Sequence, residues 1–135
     1  MVTKSITTQE TDILRLKAAY EAVDALDLDN YLPFLAEDVV FTFGNNPTAT
    51  GRDAVREALE PFFAGLKKIT HASKNTFIDG DTYVLEAGVT YITQDDAVVT
   101  VPATTIVKMN EGLQQEVRIF VDLAPLWATM QPAEN

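Results

Sequence analysis

The chain has 135 residues, enough to bury one sizeable core, and it reads as a single domain over 1–135 whose ends at 1–6 and 130–135 are expected to fray. A net charge of −10 argues against unassisted binding to nucleic acid or to anionic membranes, whose phosphates would repel it. The lack of cysteine excludes disulfides and thiol nucleophiles, and a single histidine argues against a zinc site.

No run approaches the ~18 apolar residues of a membrane span, and residues 1–5 lack the apolar stretch of a signal peptide. A cytoplasmic protein is expected. Thr7 and Glu10 stand three apart before an apolar pattern, the spacing of a capping box. Ile13, Leu16, Tyr20, Val23 and Leu26 then recur at helical spacing, so a first helix is expected over 8–26. Asp27-Leu28-Asp29-Asn30 breaks it and caps a short second helix with Pro33 in its first turn, Leu32 and Leu35 facing inward. The run 39–43 is β-branched and aromatic and reads as a strand, ended by Gly44 to Thr48. Thr50 and Asp53 suggest a capped third helix buried along Val55, Leu59, Phe62, Phe63 and Leu66. Pro61 should kink it or divide it near Ala58.

Four strands are expected next, over 70–78, 83–91, 98–109 and 116–123. Asp79-Gly80 and Asn110-Glu111-Gly112 are hairpin signals, and Asp95-Asp96 is a turn. Pro102 should mark an edge position or a bulge. Pro125 ends the last strand before a short turn at Leu126-Trp127. Side chains alternate faces along a strand, so parity sorts the sheet. Tyr83, Leu85, Ala87, Val89 and Tyr91 share an inner face with Val99, Val101, Ala103, Thr105 and Val107, and with Val117, Ile119, Val121 and Leu123. The outer face mixes Val84, Val98, Ile106 and Phe120 with Glu86, Arg118 and Asp122, a half-apolar surface that suits a second copy of the chain.

Three helices, one strand and a four-stranded meander carry the segments Leu35 to Phe41, Gly51 to Leu59, Asp79-Gly80-Asp81 and Val117 to Leu126. In that order they resemble the NTF2-like superfamily over about 8–127. The chain is similar to its SnoaL-like branch, which holds polyketide cyclases, and more distantly to limonene-epoxide hydrolases and ketosteroid isomerases. The resemblance implies an α+β fold: a cone in which N-terminal helices pack on a curved, mostly antiparallel sheet around an internal apolar pocket. It does not carry the usual catalytic sets. The isomerases' general-base Asp matches Phe43, their oxyanion-hole Asp matches Thr105, and their Tyr falls near Ala19 or Tyr20. The epoxide hydrolases' Asp, Arg and Asp match Val89, Ala87 and Ile119, none of which can hold a water. Both mechanisms, in their usual form, are therefore rejected.

His71 is the one side chain that titrates near neutral pH unaided, and the family register points it inward. It is a candidate acid or base, or else a rim histidine bonded to backbone. Tyr20, Tyr83, Tyr91 and Thr105 could offer hydroxyls to a carbonyl, or could be core residues with satisfied hydroxyls. Asp122 with Arg118 reads as a surface pair or a dimer contact, and Asp38 as a cap or a solvated carboxylate. An apolar lining is expected from Phe41, Phe43, Tyr83, Ala87, Val89, Tyr91, Val101, Ala103, Ile119 and Trp127. The expected partner is a small apolar molecule. The resemblance implies cofactor-free proton transfer on it, an aldol-type cyclisation or an isomerisation, with His71 as acid/base and Tyr20 or Thr105 steadying the enolate. The alternative is a non-catalytic ligand-binding or dimeric interaction protein. No metal is expected, and a homodimer would meet through Glu86, Arg118, Phe120 and Asp122.

Overall fold

The computed structural model describes residues 6–130, for Ile6 and Thr7 the backbone alone. Helices α1 (Ile6–Asp24) and α2 (Leu28–Tyr31) lead through a 3-10 turn (Leu32–Phe34) into β1 (Leu35–Phe43) and β2 (Ala49–Thr50). Helix α3 (Arg52–Ala64) follows, then β3 (Leu66–Asp79), β4 (Thr82–Thr93), β5 (Val98–Asn110), β6 (Leu113–Val121) and α4 (Ala124–Thr129). The strands form one sheet in the order β2-β1-β6-β5-β4-β3, antiparallel except where β1 lies parallel to β6. This is the expected α+β arrangement, helices on one face of a long meander.

Helix α1 packs Leu16, Ala19 and Ala22 onto the sheet. Its end is a two-bond cap: Leu26 N–H donates to Val23 O (2.8 Å) and Asp27 N–H to Ala22 O (2.9 Å). That cap needs a left-handed residue, and Leu26 takes it at φ +58°, a conformation that costs a non-glycine about 1–2 kcal/mol. Asp27 then caps α2 through Asn30 N–H. The sharp turn leaves Asp24 as the last residue of α1, beside β3. The expected cap at Thr7 and Glu10 falls inside a helix that already includes Ile6, and the Thr7 side chain lies outside the described residues.

Helix α3 departs from the sequence reading in two ways. Its N-cap is Gly51, with no side-chain cap, because Thr50 is taken up in β2 against Val40. It also runs unbroken through Pro61, held down by burial of Val55, Leu59 and Phe63. Each fully buried side chain of that size contributes about 1.5–3 kcal/mol, comparable to the ~3 kcal/mol that an interior proline costs. Pro102 is neither on an edge strand nor at a bulge: β5 lies between β4 and β6, in unbroken register with β4. Met109 N–H bonds Asp81 O, which makes Thr82–Lys108 a non-hydrogen-bonded pair and, by alternation, Gly88–Pro102 another. The proline nitrogen therefore turns toward β6, which has already ended at Val121 opposite Ala103. No ladder bond is lost.

Bulges interrupt the register at 73–75 in β3 and between Lys108 and Met109, where Gln115 is the extra residue on β6. Inner-face parity holds along β4, where residues 83, 85, 87, 89 and 91 are all buried. Phe120 and Val98 stay exposed on the outer face. Asp122 does not need Arg118: its carboxylate accepts the Ala124 amide at 2.9 Å and starts α4. Asp38 accepts from Gln115 Nε2 at 3.0 Å on the same outer side. No described helix is long and apolar enough to cross a membrane.

Candidate functional site

Between the helices and the sheet lies an apolar cavity of about 70 Å³, walled by α1, α3 and the inner faces of β1 and β3 to β6. Its lining includes Phe41, Phe43, Val89, Tyr91, Ala103 and Ile119, six of the ten residues expected there. The other four lie elsewhere. Tyr83 is fully buried and donates its hydroxyl to Asp12 at 2.7 Å, turned toward α1. Val101 is buried outside the lining, and Ala87 floors a separate groove. Trp127 is 44% exposed and packs edge-on against Phe62 at 5.8 Å. Phe62 also meets Phe43 at 5.2 Å and Tyr91 at 5.8 Å, so these four rings close one end of the cone.

The polar wall is built by α1 and β3. His71 stands opposite Val89 on the inner face of β3. Its Nδ1 lies 2.5 Å from Asp24 Oδ1, and its backbone N–H donates to Asp24 Oδ2 at 3.2 Å. The carboxylate thus grips both the ring and the main chain. Tyr20, one turn before Asp24 on the same helix face, stacks on the imidazole with centroids 4.5 Å apart and planes 23° apart. Thr105 is the hydrogen-bonding neighbour of the Tyr20 hydroxyl. Burial pushes the Tyr20 phenol above its ordinary range; the Thr105 bond opposes that shift, and the Asp24 charge adds to it. Burial also raises Tyr31, with Tyr20 adding to the shift, and raises Tyr91 to about 12. Burial thus keeps each of these phenols protonated beyond the pH at which a free tyrosine ionises.

The three residues expected to do chemistry, His71, Tyr20 and Thr105, therefore meet at one wall of the cavity. Asp24, Tyr31 and Gln114 were not expected there. Asp24 had a signal in the spacing of Tyr20 and Asp24, four apart on the helix face that meets the sheet. Gln114 had a misleading one. Counting back by twos from Val117 points Gln115 inward, but the bulge at that residue turns Gln114 in and Gln115 out.

The Tyr20–His71 stack also walls a second space, an open groove of about 410 Å³ between α1 and β3–β4. Its floor is Ile13, Leu16, Leu85 and Ala87, and its rim carries Lys17, Glu21, Ser73, Thr76 and Glu86. The sizes matter. Benzene occupies an engineered cavity of about 150 Å³, and drug-sized ligands take about 300–1,000 Å³. The inner cavity alone has room for waters and not for a ring, which must widen it or draw on the groove by moving the Tyr20–His71 stack. Among the described residues no group of three histidines or carboxylates could hold a metal.

A family profile described as the SnoaL-like domain matches residues 16–117. No curated protein matches the chain. Solved structures do. An NTF2-like protein of unknown function from Burkholderia pseudomallei superposes with a TM-score of 0.80 at 17% identity, over 90% of this chain and 98% of that one. A polyketide cyclase candidate from Xanthomonas campestris pv. campestris gives 0.78 at 21% identity, over 90% and 98%. A SnoaL-like polyketide cyclase candidate from Jannaschia sp. CCS1 gives 0.78 at 16% identity, over 93% and 94%. At these identities the structures speak for the fold, NTF2-like as the sequence resemblance implied. The profile covers most of the sequence, and the chain belongs to the SnoaL-like domain family.

Proposed function

We propose that the protein binds a small, largely apolar carbonyl compound in the cone and moves a proton on it, as a cyclase or isomerase. The observation that carries this reading is the Asp24–His71–Tyr20–Thr105 array at the wall of an apolar cavity. With Nδ1–H held by Asp24, the free ring nitrogen is Nε2, the tautomer that a general base requires. Nε2 takes a proton from the carbon next to the carbonyl; the C–H electron pair forms the carbon–carbon double bond of the enolate, and the carbonyl π pair moves onto its oxygen. The neutral Tyr20 hydroxyl, backed by Thr105, donates to that oxygen. The enolate carbon then either attacks a second carbonyl, whose alkoxide regains the proton from His71, or is reprotonated at another position. Both sequences balance without oxidant or reductant.

The test uses 2-tetralone as a model ketone in deuterated water. Wild-type protein should exchange its α-protons faster than buffer, and His71→Gln should lose roughly 10²–10⁴-fold of that acceleration. No acceleration by wild-type protein would favour the second reading, ligand binding without turnover, which the lack of any carboxylate in the cavity lining supports. We further propose a homodimer through the outer sheet face, where Phe120 is 54% exposed, in one cross-strand row with Thr104 and Glu86, and where strand parity also puts Arg118 and Asp122. Sedimentation showing a monomer at micromolar concentration would refute it.

A further inference from the structure

Gln114 is out of place in the cavity wall. Its side chain is only 5% exposed and lines an otherwise apolar stretch. Among the described residues no hydrogen bond engages its amide. Nor is any described side-chain nitrogen or oxygen both sealed from water-sized space and unpartnered, so the amide keeps some accessible surface, on a residue that lines the cavity. The contrast with its neighbour is direct: Gln115 donates to Asp38 at the outer surface. In the empty protein this amide can meet only water among otherwise apolar neighbours, and a ligand oxygen that takes the place of that water gains a directed hydrogen bond. Its partner therefore arrives with whatever fills the cavity.

The position of that partner can be read from the strand rows. Thr105 pairs with Ile119, which pairs with Phe43. Gln114 pairs with Met109, four residues further along β5, about 13 Å at the backbone for a rise of about 3.3 Å per residue. The Tyr20–Thr105 hydroxyls and the Gln114 amide thus serve two separated points of one apolar space, the amide on the side away from Ala103, Val89 and Tyr91. That distance, shortened by the reach of the side chains, suits a fused-ring skeleton.

We propose that Gln114 is a second hydrogen-bonding anchor for the ligand, so that the molecule taken into the cone carries a hydroxyl or carbonyl oxygen at each end of an apolar ring system. The inference rests on the cone being the ligand site and extends that reading to the class of ligand. A primary amide both donates and accepts, so it serves either kind of oxygen.

The probes are 2-naphthol, with one oxygen, and 2,6-dihydroxynaphthalene, with one at each end. Titrated calorimetrically, wild-type protein should prefer the diol by about tenfold, the worth of one good hydrogen bond. Gln114→Met should erase that preference by weakening the diol about tenfold, with no fall in melting temperature. Gln114→Leu repeats the measurement with a second apolar side chain. A preference that survives both variants, or is absent from wild type, means that Gln114 meets only water and overturns the inference while leaving His71 and the cone untouched. A clear fall in melting temperature in both variants assigns Gln114 to structure and also overturns it. Failure of both compounds to bind wild-type protein removes the cone as a ligand site, and both readings with it.

Discussion

Asp24 Oδ1 lies 2.5 Å from His71 Nδ1, joining the last residue of α1 to the inner face of β3 across 47 positions of sequence. Asparagine at 24 can still offer a carbonyl oxygen to Nδ1–H, so the ring keeps its place. It cannot balance the imidazolium that forms when Nε2 takes a proton. Asp24→Asn should therefore fold as wild type by circular dichroism and slow 2-tetralone exchange by roughly 10–100-fold, less than His71→Gln. Unchanged exchange in Asp24→Asn would remove the carboxylate from the chemistry.

Ala103 lines the inner cavity and is nearly buried, so a larger side chain there projects into about 70 Å³ of space. Ala103→Leu should fill most of it. Cavity filling commonly adds about 0.5–2 kcal/mol, and overpacking costs about 1–3 kcal/mol, so the stability change should be small. Binding of 2-naphthol, in contrast, should be lost. Full retention of binding would place the probe in the outer groove instead, where Ala87→Leu should then abolish it.

The sequence made the sheet legible because β4 is buried on one face without interruption, and its alternation from Tyr83 to Tyr91 carries straight into the fold. Helix α1 was legible for the same reason, at a different period. What escaped was whatever a single extra residue or a distant partner decides. The bulge at Gln115 exchanges the faces of two glutamines. Pro102 is tolerated because β6 ends at Val121, a fact of a neighbouring strand rather than of its own. Asp24 was unremarkable until His71 met it. Tyr83 seemed a cavity residue by parity, yet its hydroxyl is claimed by Asp12 from the helix above. Parity gives a face; it does not give the partner at the end of a long side chain.

The Gly51-Arg52 pair, part of the segment that carries the family resemblance, builds the frame and not the site. Gly51 sits at φ +90° and ψ 156°, a region essentially closed to other residues. A Cβ there would meet Glu37 O at 3.6 Å, an ordinary contact, so the cost of Gly51→Ala is conformational, about 1–3 kcal/mol. Arg52 donates from Nε and Nη2 to the carbonyl of Leu35, a residue with no exposed surface where β1 begins. Arg52→Met strands that carbonyl and should also cost about 1–3 kcal/mol. Urea titration measures both. Neither should alter 2-tetralone exchange under folding conditions, and a selective loss of exchange in the stable fraction would return Arg52 to the site.

Alkaline pH should unfold the protein through its tyrosines. Tyr31, Tyr83 and Tyr91 are nearly or fully buried, and burial raises all three phenols, Tyr91 to about 12. Tyr83 is raised further by its bond to Asp12 and by the charges of Asp12 and Asp81. In the unfolded chain each would ionise near 10. Above that pH the unfolded state has released protons that the folded state still holds, so stability falls as pH rises. The stabilisation is complete below about pH 10 and is lost between 10 and the folded values, at up to about 1.4 kcal/mol per tyrosine for each pH unit. Thermal melts at fixed ionic strength should be level in their tyrosine contribution from pH 8 to 9.5 and decline steeply beyond. Tyr91→Phe should make that decline shallower, because it removes one of the protons released on unfolding. A slope beyond pH 10 that is the same in wild type and Tyr91→Phe would mean that Tyr91 ionises as readily in the fold as in the open chain.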